Sequence, residues 1–263
     1  MRAFVFASAL SALLAGSALA APPQRVASLN LCTDELLLMI ARPEQILSVT
    51  HLSQQEAETP LWRDARRFRR NDGSLLSVAA LRPDLVLTMG GGARDRGRIA
   101  ERLGVRALDL PYPQSIEDVE KAIVTVGKAL GQEHRGRFFL AEIEALRRAA
   151  PRPGIEAVWM GGGGRSVSAT GLAAQWMALG GLRQREVKGE RLSLEDLLVR
   201  PPALILRSDY RSGQYSSEQK WLSHPLARRV RGARTIPTDG RRWTCMGPLM
   251  ISETKRLRKA QSK

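Results

Sequence analysis

The sequence has few aromatic residues, few histidines and few cysteines. Phe, Trp and Tyr together make up only 5% of its 263 residues, and it contains three histidines and two cysteines. A structural zinc site needs three or four converging nitrogen, sulfur or oxygen ligands, and no CxxC pair or histidine cluster offers them. We therefore expect no resident metal site and no cofactor. The hydrophobic content of 43% is that of an ordinary globular α/β protein.

Acidic residues are also scarce. The chain has 26 of them against 41 lysines and arginines, so its formal charge is +15. Such a charge is typical of nucleic-acid-binding proteins, but almost no aromatic residues lie among these basic residues to stack on bases. Helix-turn-helix, RNA-recognition and zinc-finger signatures are missing as well. We therefore expect no nucleic-acid partner. The charge favours attraction to anionic membrane surfaces or anionic ligands, and a basic surface that is merely solvated is the alternative.

Only the first 20 residues form an apolar run near the length of a membrane span. They begin with Met1 and Arg2 and end in Ala18-Leu19-Ala20, the small-x-small pattern of a signal peptidase site. We expect cleavage near Ala20 and a periplasmic protein, and a retained N-terminal anchor is the alternative. No cysteine stands at the cleavage point, so a lipid anchor is not expected.

Two segments, residues 74–87 and 193–206, look like copies of one unit. Each has a serine that can cap a short helix, a proline that ends it, and a run of branched apolar residues typical of a buried strand. Between them, residues 133–150 have the apolar periodicity of one amphipathic helix. We predict an α/β fold with a cleft between two lobes. The expected divisions are a signal peptide (1–20), an N-terminal lobe (21–132), a linking helix (133–150) and a C-terminal lobe (151–263).

The loops that follow predicted strands supply the candidate ligand contacts, because α/β sheets bind ligands at the carboxyl ends of their strands. After the first strand, Thr33 is predicted to cap a helix, with Asp34 and Glu35 in its first turn. The predicted ligand-binding residues are Thr33, Asp34, His51, Leu52, Gly91, Tyr112, Ser168, Thr170, Asp209, Tyr210, Arg211, Trp243 and Thr244.

Histidines and aromatic residues are scarce in this chain, so only a few of them are candidates for contacting the ligand. His51 is the one histidine at a predicted strand end, whereas His134 and His224 are expected to be structural or solvated. Tyr112 and Trp243 are predicted to contact the ligand because few other aromatic residues lie in these loops. Ordinary packing at a loop base is the alternative for both rings.

The two cysteines, Cys32 and Cys245, lie in loops predicted to flank the cleft, one in each lobe. In an oxidising compartment an even pair of cysteines is a disulfide candidate. The alternative is a pair of free thiols near the ligand, one of which could coordinate a soft metal centre.

Several elements, taken in order, resemble a known family. They are the apolar leader, the first-strand segment 26–35, the segment 81–87, the single connecting helix, and His224-Pro225 before the last strand. Over nearly all of its expected mature length the chain is similar to the helical-backbone class of ABC-importer substrate-binding proteins. Within that class it is most similar to members that bind vitamin B12, siderophores or haem.

The resemblance implies two Rossmann-like lobes with little hinge motion and non-catalytic capture of a metal chelate. The implied chelate is cobalamin or another corrinoid, a ferric siderophore or haem. The implied partner is a membrane permease with its ATPase, and a monomer is expected. Relatives dock onto the permease through an acidic residue on each lobe. Glu195 matches that position in the C-terminal lobe, while its repeat counterpart in the N-terminal lobe is Leu76.

An exported hydrolase or transferase is the rival function, with Asp34, His51 or Asp209 in its active site. Nucleophilic catalysis needs a nucleophile beside a base and a group that orients the base. No such set occurs at recognisable spacing in the sequence, which favours a binding protein over an enzyme.

Overall fold

A computed structural model describes residues 21–90, 100, 102, 104–151, 154–210 and 217–261. The expected signal peptide and two predicted ligand contacts, Gly91 and Arg211, lie outside these residues. Among the helices in the described ranges, none is long and apolar enough to cross a membrane.

The N-terminal lobe contains a sheet of five parallel strands in the order β3-β2-β1-β4-β5. The strands are β1 (Val26–Ser28), β2 (Ile46–Thr50), β3 (Arg69–Asn71), β4 (Leu85–Met89) and β5 (Arg106–Leu110). The helices around them are α1 (Leu31–Ile40), α2 (Trp62–Ala65), α3 (Leu75–Ala79) and α4 (Ile116–Leu130), with a 3₁₀ turn at Pro43–Gln45. Every residue of the central strands β1 and β4 is buried, which explains their continuous apolar character.

The C-terminal lobe contains a second parallel sheet of four strands in the order β7-β6-β8-β9. The strands are β6 (Ile155–Met160), β7 (Leu182–Gln184), β8 (Leu204–Ser208) and β9 (Arg234–Thr238). Its helices are α6 (Leu172–Leu179), α7 (Leu194–Val199), α8 (Ser217–Ser223), α9 (Pro225–Arg228), α10 (Arg242–Cys245) and α11 (Leu249–Gln261). Short 3₁₀ turns lie at Gly162–Gly164 and Lys188–Glu190. Two parallel α/β sheets confirm the predicted fold class.

The internal repeat is present as two serine-capped helices, each followed by a buried strand. The Ser74 hydroxyl accepts a hydrogen bond from the backbone N–H of Ser77 (3.2 Å) at the start of α3. The Ser193 hydroxyl accepts one from the N–H of Asp196 (2.9 Å) at the start of α7. The strands that follow, β4 and β8, occupy interior positions in their sheets. Equivalent local sequences therefore fold into equivalent units in the two lobes.

The linking helix α5 (Glu133–Arg148) ends two residues before the predicted boundary. Gly131 adopts a left-handed conformation (φ 64°) that ends α4 and turns the chain into α5. The buried side chains Phe139, Ile143 and Leu146 face a core cluster that contains residues of both lobes. Since α5 packs against α4 and against α11, the linker is held on both sides.

The predicted start of α1 was wrong by three residues. Asn30, rather than Thr33, is the N-cap, and its side-chain oxygen accepts a hydrogen bond from the N–H of Cys32 (2.8 Å). The Thr33 hydroxyl turns back to the carbonyl oxygen of Asn30 (2.9 Å). Asparagine caps helices as well as serine or threonine does. Both Asn30 and Thr33 could therefore cap α1, and the helix begins after the earlier of the two.

Candidate functional site between the lobes

Contacts between the lobes come from segments that follow the carboxyl ends of strands. The loop after β2 meets the loop after β8, where the Tyr210 hydroxyl donates to the Glu58 carboxylate (2.8 Å). The side-chain oxygen of Gln175 on α6 accepts from the N–H of Ile116, the first residue of α4, which follows β5 in the chain (2.9 Å). The two sheets therefore face each other with their carboxyl ends. The predicted cleft lies between those ends, where α/β sheets bind ligands.

The central part of this boundary carries a covalent link. Cys32 at the start of α1 forms a disulfide with Cys245 at the end of α10, and their Cα atoms are 5.1 Å apart. One turn further along α1, the Glu35 carboxylate accepts a hydrogen bond from the N–H of Leu249, the first residue of α11 (2.9 Å). The start of α1 is thus tied to the C-terminal lobe by one covalent bond and one hydrogen bond.

Glu35 is the most unusual acid at the boundary, since only 5% of it is exposed. Burial raises the pKa of its carboxyl from 4.5 to about 7, although the bond from Leu249 and the charge of Arg242 act in the opposite direction. Desolvation outweighs both of these effects. This carboxyl changes its charge near neutral pH.

Thr33 and Asp34 are predicted ligand contacts that the structure places inside the N-terminal lobe. Both are fully buried. The Thr33 hydroxyl bonds to that of Ser28 (2.7 Å), and the Asp34 carboxylate accepts from the N–H of Thr50 (3.1 Å). Burial raises the pKa of Asp34 to about 6, and the hydrogen bonds from Ser28 and Thr50 limit the shift. Thr33 thus joins α1 to β1 and Asp34 joins it to β2, so we leave both residues out of the proposed ligand set.

Trp243 is also buried, with 7% of its surface exposed. Its indole N–H donates to the hydroxyl of Thr238 (2.7 Å), which in turn donates to the buried carboxylate of Glu253. Its ring lies 6.1 Å from that of Trp159, tilted by 58°. The structure therefore favours packing for Trp243, the alternative that the sequence left open.

Tyr112 keeps 55% of its surface exposed at the end of β5. Its ring lies on Gly90, the residue after β4, whose φ of 102° favours glycine. A Cβ atom at Gly90 would stand 2.4 Å from the Tyr112 ring. The glycine therefore lets the aromatic ring lie against the backbone, and more than half of the tyrosine surface stays exposed.

The remaining described candidates are exposed or half-buried at strand ends, in loops or, for Thr244, in helix α10. Three of them also organise their loops. Asp209 accepts a hydrogen bond from the N–H of Gly240 (3.0 Å), and the Ser168 and Thr170 hydroxyls lie 3.3 Å apart. These candidates are His51, Leu52, Ser168, Thr170, Asp209, Tyr210 and Thr244.

Residues at the boundary that the sequence did not single out include Glu56, Glu58 and Arg241. Arg241 donates to the carbonyl oxygen of Glu56 across the boundary and to the carboxylate of Asp239 in its own loop (both 2.8 Å). Burial alone would raise the pKa of Asp239, but the hydrogen bond and charge of Arg241 hold it below its ordinary value. The sequence contains one signal that could have indicated Glu56 and Glu58. They are two acidic residues close together in one loop, in a chain that is otherwise rich in basic residues.

A family model described as "Periplasmic binding protein" matches residues 26–235, which is most of the chain. The chain belongs to the periplasmic binding protein family. This membership confirms the resemblance found in the sequence. The comparison with curated proteins gave no significant match.

Solved structures show the same fold as this periplasmic binding protein at low identity. The haem-binding protein RhuT from Roseiflexus sp. RS-1 is 19% identical, with a TM-score of 0.67 over 90% of this chain and 98% of that one. A haem-binding protein from Pseudomonas aeruginosa is 20% identical (TM-score 0.63; 90% and 92% covered). The vitamin B12-binding protein BtuF from Vibrio cholerae is 16% identical (TM-score 0.63; 92% and 99% covered). Family members are binding proteins.

The donor groups of this binding protein do not gather into a metal centre. Among the residues that the structure describes, no group of three or more His, Cys, Asp or Glu side chains could hold a metal ion. Both cysteines are used in the disulfide, so neither thiol is available as a soft ligand.

Proposed function

We propose that this protein is the substrate-binding component of an ABC importer and captures a metal chelate in the cleft between its lobes. The proposed chelates are cobalamin or another corrinoid, a ferric siderophore, or haem. The observation that carries the proposal is the half-exposed Tyr112 ring at the end of β5, where the carboxyl ends of two parallel sheets meet. An aromatic face with polar groups around it suits a large, flat, partly apolar ligand. The haem- and B12-binding proteins of the same fold support this class of ligand.

The proposed contacts come from both lobes. Tyr112 supplies the aromatic face, and His51 and Asp209 supply polar groups that fix the orientation of the chelate. Gly91 and Arg211 follow β4 and β8 in the sequence and stay predictions. The other proposed contacts are Leu52, Ser168, Thr170, Tyr210 and Thr244.

The links across the boundary support preorganised binding with little hinge motion. The disulfide joins helices α1 and α10, and the Tyr210–Glu58 and Arg241–Glu56 bonds join loops of the two lobes. A binding site that is already ordered loses less conformational entropy when the ligand enters. The packed linking helix acts in the same direction.

Permease docking is proposed for the C-terminal lobe through Glu195. This residue is exposed on α7, and its counterpart Leu76 on α3 is 75% exposed. A carboxylate on one lobe and an apolar side chain on the other would make the docking contact asymmetric. Complementary charge at such a contact favours orientation and association rate more than affinity.

Export with cleavage near Ala20 and a monomeric state complete the proposal. The mass of the protein purified from the periplasm, together with light scattering, checks both. A mature chain that retains residues 1–20 would support the anchor instead.

Titration with haemin, cyanocobalamin and a ferric siderophore, followed by absorbance and calorimetry, tests the function. We expect one of these chelates to bind with a stoichiometry of one and to be recovered unchanged. Chemical conversion of a chelate, or hydrolysis of ester substrates lost in Asp209→Asn, would support the enzyme alternative. Failure of all three chelates to bind would contradict chelate capture.

A further inference from the structure

Five exposed arginines lie within eight residues at the outer edge of the N-terminal lobe. They belong to α2, β3 and the turn between them, and Asp64 is the one acid among these eight residues. We call this set the arginine patch: Arg63, Arg66, Arg67, Arg69 and Arg70.

Among the residues that the structure describes, the patch arginines have no compensating carboxylate, unlike several other arginines of the protein. Arg185 lies 2.5 Å from the carboxylate of Glu156, and Arg147 lies 2.7 Å from that of Glu144. Within the described ranges, no patch arginine has a carboxylate oxygen within 4.0 Å. Part of the large positive charge is therefore concentrated and uncompensated here.

Two of the patch arginines are held by an aromatic ring. The guanidinium carbons of Arg63 and Arg66 each lie 4.4 Å from the centre of the Trp62 ring. Arg66 also donates to the carbonyl oxygen of Gln54 (3.2 Å). A guanidinium stacked on a ring keeps N–H donors in its plane that can grip a phosphate. The stack thus orders two donors before any partner arrives.

Protection of a sheet edge explains only part of the patch. β3 is an edge strand, and exposed charges on an edge strand prevent pairing with other chains. That account covers Arg69 and Arg70, which lie in β3. Arg63, Arg66 and Arg67 precede the strand and need another explanation.

We propose that the arginine patch binds the phosphate headgroups of an anionic phospholipid membrane. Guanidinium groups form paired, charge-assisted hydrogen bonds with phosphate oxygens. Clusters of basic residues are attracted to anionic lipid surfaces, and tryptophan is enriched at the membrane–water interface. The contact would hold the protein close to the membrane and so confine its search for membrane partners to a surface. It does not depend on which ligand occupies the cleft.

The test is co-sedimentation with vesicles of phosphatidylcholine alone and of phosphatidylcholine with an equal part of phosphatidylglycerol. We expect the protein to bind only the anionic vesicles, and less at high salt. Arg63→Gln with Arg66→Gln should weaken partitioning by about 25-fold, since each charge near an anionic surface contributes about fivefold. Arg137→Gln with Arg148→Gln is the matched control. It removes two exposed arginines from the linking helix, which also carries acidic residues, and should change partitioning less than about threefold.

A second variant, Arg67→Gln with Arg70→Gln, leaves the Trp62 stack intact and should also weaken partitioning by more than the control does. It keeps the test decisive if the first variant does not fold, which circular dichroism would show. Equal losses in the patch and control variants would overturn the proposal in favour of diffuse charge. Equal binding to both kinds of vesicle would overturn it too. Loss of affinity for single-stranded DNA without any loss for vesicles would assign the patch to nucleic acid instead.

Discussion

Replacing Glu35 by glutamine should stabilise the protein at pH 8 and leave its stability almost unchanged at pH 4. Glu35 is almost fully buried at the lobe boundary, where burial raises its pKa from 4.5 to about 7. Glutamine keeps the oxygen that accepts the hydrogen bond from Leu249 (2.9 Å in the wild type). It cannot ionise, so it removes the cost of burying a charge.

The direction of the change in unfolding free energy with pH depends on whether the folded or the unfolded state binds the proton more tightly. Below pH 4.5 the Glu35 carboxyl is protonated in both the folded and the unfolded chain. As the pH rises from 4.5 to about 7, the unfolded chain ionises first, so the free energy of unfolding falls. Above about pH 7 both states are ionised and the loss is complete. The pKa shift of Glu35 is from 4.5 to about 7. At about 1.4 kcal/mol per pKa unit, it lowers the free energy of unfolding by about 3 kcal/mol.

Denaturant unfolding of wild type and Glu35→Gln at pH 4 and pH 8 measures the effect. The advantage of the variant should grow by up to about 3 kcal/mol between the two values. Asp34 shifts in the same direction but is present in both proteins and cancels. Glu195→Gln, which removes an exposed charge, is the control and should show no such growth. A Glu35→Gln variant that is less stable than wild type at pH 8 would refute the reasoning, because the carboxylate would then be stabilising.

Three further predictions concern the disulfide, the buried tryptophan and the docking residue. Cys32→Ser with Cys245→Ser should destabilise the protein by up to about 5 kcal/mol, because the bond closes a loop of 213 residues; alkylation of both thiols before any reduction would show that no bond forms. Trp243→Ala should cost about 3–5 kcal/mol of stability and leave the affinity for the bound chelate unchanged; weaker binding in a stably folded variant would restore Trp243 as a contact. Glu195→Ala should reduce chelate transport in reconstituted membranes without changing chelate affinity, whereas the exposed Glu186→Ala should transport normally; equal transport by both would remove the docking role.

Much of the fold was predictable because its signals are local. Ser74 and Ser193 cap their helices through residues three positions away. The strands β4 and β8 begin with the apolar runs 85–87 and 204–206. Helix α6 (Leu172–Leu179) is a mostly apolar segment bounded by Gly171 and Gly180. Each of these features depends on neighbours in sequence, so the sequence alone carries the information.

The candidate site was harder to predict because burial depends on distant partners. Asp34 and Trp243 lie near strand ends, yet Thr50 and Thr238 use their polar atoms inside the lobes. The sequence indicated Glu35 only as an acid in a first turn, and its partner Leu249 is 214 residues away. No local pattern predicts such a contact. Position at a strand end brings a residue to the cleft region but does not decide whether its side chain is exposed there.

The affinity of the Tyr112→Ala variant for the chelate that the wild type binds tests the central claim most directly. Tyr112 is 55% exposed at the cleft, and Phe138, 54% exposed on the linking helix, is the matched aromatic control. Loss of a stacked ring should weaken binding by about 1–3 kcal/mol, or about 5- to 150-fold, measured by calorimetry. Phe138→Ala should bind as tightly as wild type. Unchanged affinity in Tyr112→Ala, or an equal loss in both variants, would contradict capture of the chelate between the lobes.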